Sequence, residues 1–458
     1  MKYQYDLLVI GSGSAGFSAA SSAKGTGRKI GIVEKENRWG GECPNWACVP
    51  TKVLLKSAKA YRDLKHLNAL GVHVSNESID FGEVMMRRAK IVGALAGKRI
   101  EDLAEKMGFD RIKGHAIFLD EHTIQVGDDK YTSDKFIVAT GAGTFIPPIP
   151  GIDKVSWIDF RGAVELDNKP KSMIIIGGGP VGCEFATFFA TVGTKVTLIQ
   201  GAPLVLHREE PELSEIAHKS LEDLGVQIFA GAEVLGVEKS DAGIEVKVRI
   251  EKDIEKMSAD VLLMATGKTS NTAGLGAGAA GIKLDQRGTI IVGSDLRTSA
   301  KNIWAAGDVD GGMRFTHTAH HEGTIAGYNA FAGTDALKTD QRVVPRVTFV
   351  DPEIASVGLT EVEAREKTEN VLVGTFAIRG LGRAFIDDDR DGFVKIVADG
   401  KTRKILGGHV ASARAGEMIH EVALAMYTNS KIDDLANMIH AYPTYSEGIT
   451  AAATVAIS

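Results

Sequence analysis

Asp6-Leu7-Leu8-Val9-Ile10-Gly11-Ser12-Gly13-Ser14-Ala15-Gly16 decides the fold. Its first five residues are an apolar run of buried-strand type, and the glycines lead into a small-residue helix expected over 17–24. Lys29-Ile30-Gly31-Ile32-Val33 is a second strand, and Glu34 ends it. Strand, glycine turn, helix, strand and acid together make a complete dinucleotide fingerprint. Gly11, Gly13 and Gly16 let the backbone approach a pyrophosphate at a helix N-terminus, where unpaired N–H groups and the helix dipole favour negative charge. Glu34 is the expected acceptor for ribose hydroxyls.

The pattern occurs twice. Lys171-Ser172-Met173-Ile174-Ile175-Ile176 is a strand, Gly177-Gly178-Gly179-Pro180-Val181-Gly182 a second glycine turn, and a helix to 192 and a strand over 195–199 follow. Two bound dinucleotides, where a simple dehydrogenase needs one, imply electrons passing from one to the other. The second copy ends at Gln200, which is neither the acid that selects the 2′-hydroxyl of NAD nor the arginine that selects the 2′-phosphate of NADP. His207 and Arg208 lie further on, and the reading leans to NADH. Ala139-Thr140-Gly141 closes a series of short strands and is echoed by Ala265-Thr266-Gly267. A further strand runs through Asn302-Ile303-Trp304-Ala305-Ala306-Gly307-Asp308. Helices are expected over 56–67 and 81–107, and the prolines of 146–151 mark a stiff exit from the first domain.

Beside the first fingerprint stands Gly40-Gly41-Glu42-Cys43-Pro44-Asn45-Trp46-Ala47-Cys48-Val49-Pro50-Thr51-Lys52, which holds two of the three cysteines. Zinc wants four ligands, and the third cysteine, Cys183, sits far away in the second glycine turn, where a small buried residue packs helix on strand. A purely structural bridge over so short a loop would stabilise by only about 2 kcal/mol. A thiol pair that cycles between states, with an electron donor nearby, fits better.

The 458 residues allow two to four domains, and 44% hydrophobic with 24% charged residues is ordinary globular composition. A net charge of −6 gives no electrostatic reason to expect nucleic acid or an anionic membrane as partner. No 18-residue apolar run occurs, Met1-Lys2-Tyr3-Gln4-Tyr5-Asp6 enters a strand directly, and three cysteines are too few for a disulfide scaffold. The expected setting is cytoplasmic.

In the order of these motifs the chain resembles the flavin-dependent pyridine nucleotide–disulfide oxidoreductases, which include dihydrolipoamide dehydrogenase, glutathione reductase and mercuric reductase. The resemblance implies an α/β fold with two Rossmann-like domains, for FAD and NAD(P), and a C-terminal α+β dimerisation domain. Expected boundaries are 1–150 for the first part of the FAD domain, 151–270 for the NAD(P) domain, 271–340 for the rest of the FAD or central domain, and 341–458 for the interface domain. Gly11, Gly13, Gly16, Glu34 and Asp308 would bind FAD, with Gly41, Thr140 and Gly141 also on the cofactor side. Gly177, Gly179, Gly182, Gln200 and Gly267 belong to the NAD(P)H side. Cys48 would be the flavin-proximal thiol and Cys43 the interchange thiol that meets the substrate. Lys52 would stand near the flavin, with Glu184 as its ion-pair partner. The family also implies a homodimer whose active site is shared across subunits, with no resident metal.

One position departs from that pattern. Disulfide-reducing members place an acid–base histidine directly before a Pro-Thr pair, with a later glutamate as its partner. This chain reads Ile439-His440-Ala441-Tyr442-Pro443-Thr444-Tyr445-Ser446-Glu447, so Tyr442 occupies that place and Glu447 is retained. An ordinary tyrosine titrates near pH 10, too high for an efficient proton shuttle at neutral pH. His440 matches the family's first, non-catalytic histidine. Mercuric reductases also lack the catalytic histidine and carry a tyrosine nearby, yet they end in a cysteine pair that is absent from 451–458 here. Phe315-Thr316-His317-Thr318-Ala319-His320-His321-Glu322-Gly323 is closer to the dihydrolipoamide dehydrogenase pattern. The expected acceptor is therefore a disulfide with a good leaving thiolate or a thiol-avid metal ion. The alternatives are a diaphorase or oxidase working directly from the flavin, and a non-enzymatic component of a larger complex.

Overall fold

The computed structural model describes residues 2–25, 27–241 and 243–458. The chain divides into two compact units: Met1–Val53, Met85–Phe145 and Gly267–Gln341 form the first, and Leu54–Val84, Ile146–Thr266 and Arg342–Ser458 the second.

The first unit is built on a mixed sheet with strand order Asp110–Lys113, Ile30–Glu34, Tyr5–Ile10, Asp129–Val138, Thr123–Val126, Ala116–Asp120. Ile303–Ala305 also pairs with Asp129–Val138. The central strand Tyr5–Ile10 runs parallel to both neighbours, with Val9 opposite Ile32 on one side and Ile137 on the other. Leu7, Leu8 and Val9 are fully buried, as a parallel strand covered on both faces requires. The helix of the first fingerprint spans Ser14–Ala23, starting earlier than the expected 17 because Gly13 already caps it. Helix Thr316–Asn329 lies tightly on it. A Cβ at Gly323 would sit 2.1 Å from Ala15 O, and one at Gly327 2.2 Å from Ala19 O, so only glycine permits the approach.

Two expected helices differ in extent. The helix placed at 56–67 begins at Cys48 and runs to Asp63, because Pro50 falls in its first turn, where proline's missing N–H does no harm. The stretch 81–107 is two helices, Phe81–Leu95 and Lys98–Lys106. Gly97 breaks it at φ +56, its N–H turned to Trp39 O at 3.0 Å.

In the second unit a four-stranded parallel sheet has the order Gln227–Ala230, Lys195–Gln200, Ser172–Ile176, Val261–Met264. Helix Pro180–Thr191 follows its glycine turn, and Glu233–Ser240, Gly243–Ile250 and Asp253–Ala259 form an antiparallel sheet of their own. The last part of the chain is a five-stranded antiparallel sheet, Arg346–Thr348, Glu353–Gly358, Ile405–Ser412, Phe393–Asp399, Val371–Ala377, with helices Ala415–Tyr427 and Glu447–Ile457. A Cβ at Gly374 would meet Ala452 O at 2.0 Å, which draws helix Glu447–Ile457 close onto the edge strand. Among the described residues no helix is long and apolar enough to cross a membrane.

The repeated Ala-Thr-Gly phrase has a packing reason. Gly11 (φ +109) lies so close to Ala139 that a Cβ would be 2.2 Å from its carbonyl oxygen; Gly177 (φ +113) stands in the same relation to Ala265, at 2.3 Å. Each glycine turn thus rests on the strand that ends in its own Ala-Thr-Gly.

Candidate active site

In the first turn Glu34 is buried, and its Oε2 accepts the Ser12 N–H (2.9 Å) and the Ser12 hydroxyl (2.7 Å). Its Oε1 accepts the Glu36 N–H at 2.8 Å and keeps one lone pair for a ribose hydroxyl. Ser12 Oγ in turn accepts the Gly40 N–H at 2.9 Å, which ties the cysteine loop to the fingerprint. Gly41, at φ +72, packs its Cα on Gly13, where a Cβ would be 2.7 Å away. The first turn therefore keeps bare backbone at a helix N-terminus, the cradle that a dinucleotide pyrophosphate fits. Thr140 is fixed beside it by exchange with Asn271: Thr140 Oγ1 donates to Asn271 O (2.8 Å) and Asn271 Nδ2 donates to Thr140 O (3.0 Å).

The cysteine loop is a short helix, Glu42–Asn45, followed by helix Cys48–Asp63. Asn45, fully buried, donates from Nδ2 to Trp39 O (2.9 Å) and Gly41 O (2.8 Å), holding the turn between them. Both sulfurs are present as thiols and both are half-buried. A hydrogen bond with Cys48, together with burial, pushes the Cys43 thiol up, against the opposing pull of Thr316 and Lys52. Cys48 Sγ lies 3.4 Å from Thr316 Oγ1 at the start of helix Thr316–Asn329.

Asp308 follows Gly307 in the same unit and meets Lys268, whose Nζ lies 3.3 Å from Asp308 Oδ2 and 2.8 Å from Glu42 Oε2. Glu322, 2% exposed, accepts the Gly307 N–H at 2.7 Å and a hydrogen bond from Gln341. Burial, and then the Glu322 charge, pushes Asp310 up to about 7. Sequence reading missed Glu42, Lys268, Thr316 and Glu322 as parts of the site. The available signal was position, since Glu42 precedes Cys43 and Lys268 follows Ala265-Thr266-Gly267.

In the second unit Gly182 packs under its turn, where a Cβ would be 1.9 Å from Gly177 O, while Gly179 caps helix Pro180–Thr191. Gly267 (φ +104) opens strand Lys268–Ser270 of the first unit. Gln200 Oε1 accepts the Gly178 N–H, and Gln200 Nε2 lies 3.3 Å from His207 Nδ1. Cys183 is fully buried, its thiol pushed up by burial, and donates to Gly178 O at 3.4 Å. Glu184 is buried and accepts the Phe349 N–H at 3.1 Å. Tyr442 is 78% exposed, with its hydroxyl against Gly382. Glu447 Oε2 accepts the Thr444 N–H at 2.9 Å. His440 pairs with Glu421 (Nε2–Oε1 2.8 Å) and with Thr450 Oγ1 (2.8 Å), so a half-buried Glu–His pair exists here, its histidine two residues before Tyr442. Among the described residues no three His, Cys, Asp or Glu side chains converge as a metal site.

Residues 5–323 match the pyridine nucleotide-disulphide oxidoreductase family model, and residues 344–453 match the dimerisation domain of the same family. The chain belongs to the pyridine nucleotide-disulphide oxidoreductases. It is 35% identical over 449 residues to mercuric reductase of Staphylococcus aureus, covering 98% of this chain and 82% of that one. It is 36% identical over 457 residues to dihydrolipoyl dehydrogenase of Geobacillus stearothermophilus, covering 99% and 96%. Among solved structures it is similar to the HOCl-induced flavoprotein disulfide reductase RclA from Escherichia coli (TM-score 0.87, 32% identity, 98% and 100% of the two chains), which has also been solved as a Cu(II) complex. The protein is accordingly an FAD-dependent enzyme driven by NAD(P)H, with the two-dinucleotide α/β fold and the dimerisation domain of its family.

Proposed function

We propose that this flavoenzyme uses the Cys43–Cys48 pair to reduce a thiol-avid metal ion, or a disulfide whose leaving thiolate needs little acid help. The observation that carries the reading is the hydrogen-bonded sulfur pair beside Thr316 and under the field of Lys52. The likeness to mercuric reductases, and to a flavoprotein disulfide reductase solved with Cu(II), supports a metal ion as acceptor.

NAD(P)H is the two-electron reductant, and FAD, which Gly11, Gly13, Gly16 and Glu34 would hold at the first glycine turn, would supply the two-electron link to the cysteine pair. The Cys43–Cys48 disulfide takes up two electrons and two protons to become a dithiol. With a disulfide acceptor, the Cys43 thiolate attacks one sulfur and releases a thiolate, and Cys48 then displaces the second, regenerating the Cys43–Cys48 bond. Proton delivery to the leaving thiolate is the step for which the family histidine serves, and Tyr442 stands in its place. A leaving group of low pKa, or a soft metal ion, dispenses with that proton. In a homodimer with a shared site, Tyr442 and Glu447 of one subunit serve the dithiol of the other. A reducing cytoplasmic setting suits a pair that must be recycled.

Cys43→Ser tests the reading. It should abolish NAD(P)H-dependent reduction of Hg(II), Cu(II) and aromatic disulfides while leaving the flavin reducible. Undiminished turnover would instead support a diaphorase that bypasses the thiols.

A further inference from the structure

Two carboxylates from distant parts of the chain, Glu42 and Asp308, converge on Lys268. Glu42 is one residue from Gly41, whose Cα packs on Gly13 of that turn. Asp308 is one residue from Gly307, where a Cβ would lie 3.0 Å from the Ala15 Cβ in the first turn of helix Ser14–Ala23. Both acids thus border the backbone at which a pyrophosphate is expected. A dianion approaching such a rim meets repulsion as well as the helix N-terminus.

Lys268 answers that charge. Its Nζ contacts Glu42 Oε2 (2.8 Å) and Asp308 Oδ2 (3.3 Å), and its side chain is 27% exposed. Burial favours loss of its proton, but the Glu42 and Asp308 carboxylates outweigh burial and hold the ammonium charged. The backbone is pinned as well: Arg314 donates to Lys268 O and to Ser270 Oγ, and Ser270 Oγ donates to Asp308 O at 3.3 Å.

We propose that Lys268 is a positioning residue for FAD, the counter-charge that lets the first glycine turn accept the dinucleotide pyrophosphate between Glu42 and Asp308. The inference rests on FAD occupying the first fingerprint.

The test is FAD binding to apoprotein, followed by flavin fluorescence, for wild type, Lys268→Arg, Lys268→Met, Glu42→Gln and the double variant Lys268→Met/Glu42→Gln. Lys268→Met should bind FAD roughly ten- to a hundred-fold more weakly, and the deficit should shrink at about 1 M salt. Lys268→Arg should stay within about three-fold of wild type, and removing the Glu42 charge from the Lys268→Met protein should restore much of the loss. Should Lys268→Met fail to fold, Glu42→Gln alone decides. FAD affinity equal to or above wild type supports the counter-charge role, and a roughly ten-fold loss overturns it in favour of a structural brace. Wild-type affinity in Lys268→Met, or no recovery in the double variant, also overturns it. A wild-type protein without FAD affinity would overturn the cofactor assignment itself, a separate failure.

Discussion

Gln200 Oε1 accepts the Gly178 N–H at 3.0 Å, as Glu34 Oε2 accepts the Ser12 N–H at 2.9 Å in the other fingerprint. The two residues hold equivalent places, but one is a carboxylate and the other an amide. With its oxygen committed to Gly178, Gln200 directs Nε2 towards His207 Nδ1, and His207 and Arg208 are exposed beyond it. No negative charge at this position repels a 2′-phosphate, so NADPH should serve about as well as NADH, against the lean drawn from sequence. Gln200→Glu should raise the NADH preference, in ratios of kcat/KM, by roughly ten-fold or more. A wild type already selective for NADH by that margin would contradict this account.

Gly41 should tolerate no side chain. Its φ of +72 and the 2.7 Å separation a Cβ would have from Gly13 Cα set strain against a backbone neighbour that cannot step aside. Gly41→Ala should lose about 1–3 kcal/mol of stability and release FAD more readily, measured by thermal unfolding and by flavin fluorescence. Wild-type values for both would remove the close approach from the account.

Asp310 makes stability depend on pH in a stated direction. Its folded pKa of about 7 lies above the ordinary 3.8, raised by burial and then by Glu322. The folded protein therefore holds a proton that the unfolded chain has lost. Stability from this group is fully present below the unfolded value and is lost as pH rises through about 7. Asp310→Asn should flatten that decline, so its advantage in Tm over wild type should grow between about pH 5 and pH 8. An advantage that is constant with pH would contradict the assignment.

Tyr442 should limit the range of disulfides rather than the electron supply. Tyr442→His places a group that titrates near neutrality where the family expects one, and should raise lipoamide or glutathione disulfide turnover by roughly ten-fold or more. Flavin reduction by NAD(P)H should not change. No gain in disulfide turnover would show that more than this side chain separates the protein from its disulfide-reducing relatives.

Much of the fold was legible because local rules and tertiary packing agree. The glycine at the head of each fingerprint is demanded both by its own φ and by the Ala-Thr-Gly strand beneath it, so the motif and its echo carry one constraint. The break at Gly97 was not legible, because helical periodicity continues on either side and the glycine's N–H turns outward only to reach Trp39. The Glu42–Lys268 pair was hidden for another reason. Its partners are 226 residues apart, and nothing in either neighbourhood signals the other. Gln200 ends its strand as the sequence suggests, but its amide orientation follows from the Gly178 N–H, which a sequence does not display.

The central claim is that the Cys43–Cys48 pair is redox-active beside the flavin. Anaerobic titration of the purified protein with NADH, and separately with NADPH, while following the visible flavin spectrum, tests it most directly. A long-wavelength absorption band at two electrons per subunit, absent from Cys48→Ser, is the predicted result and marks a thiolate in contact with the flavin. Bleaching of the flavin without that band would contradict the account and leave the cysteines outside the electron path.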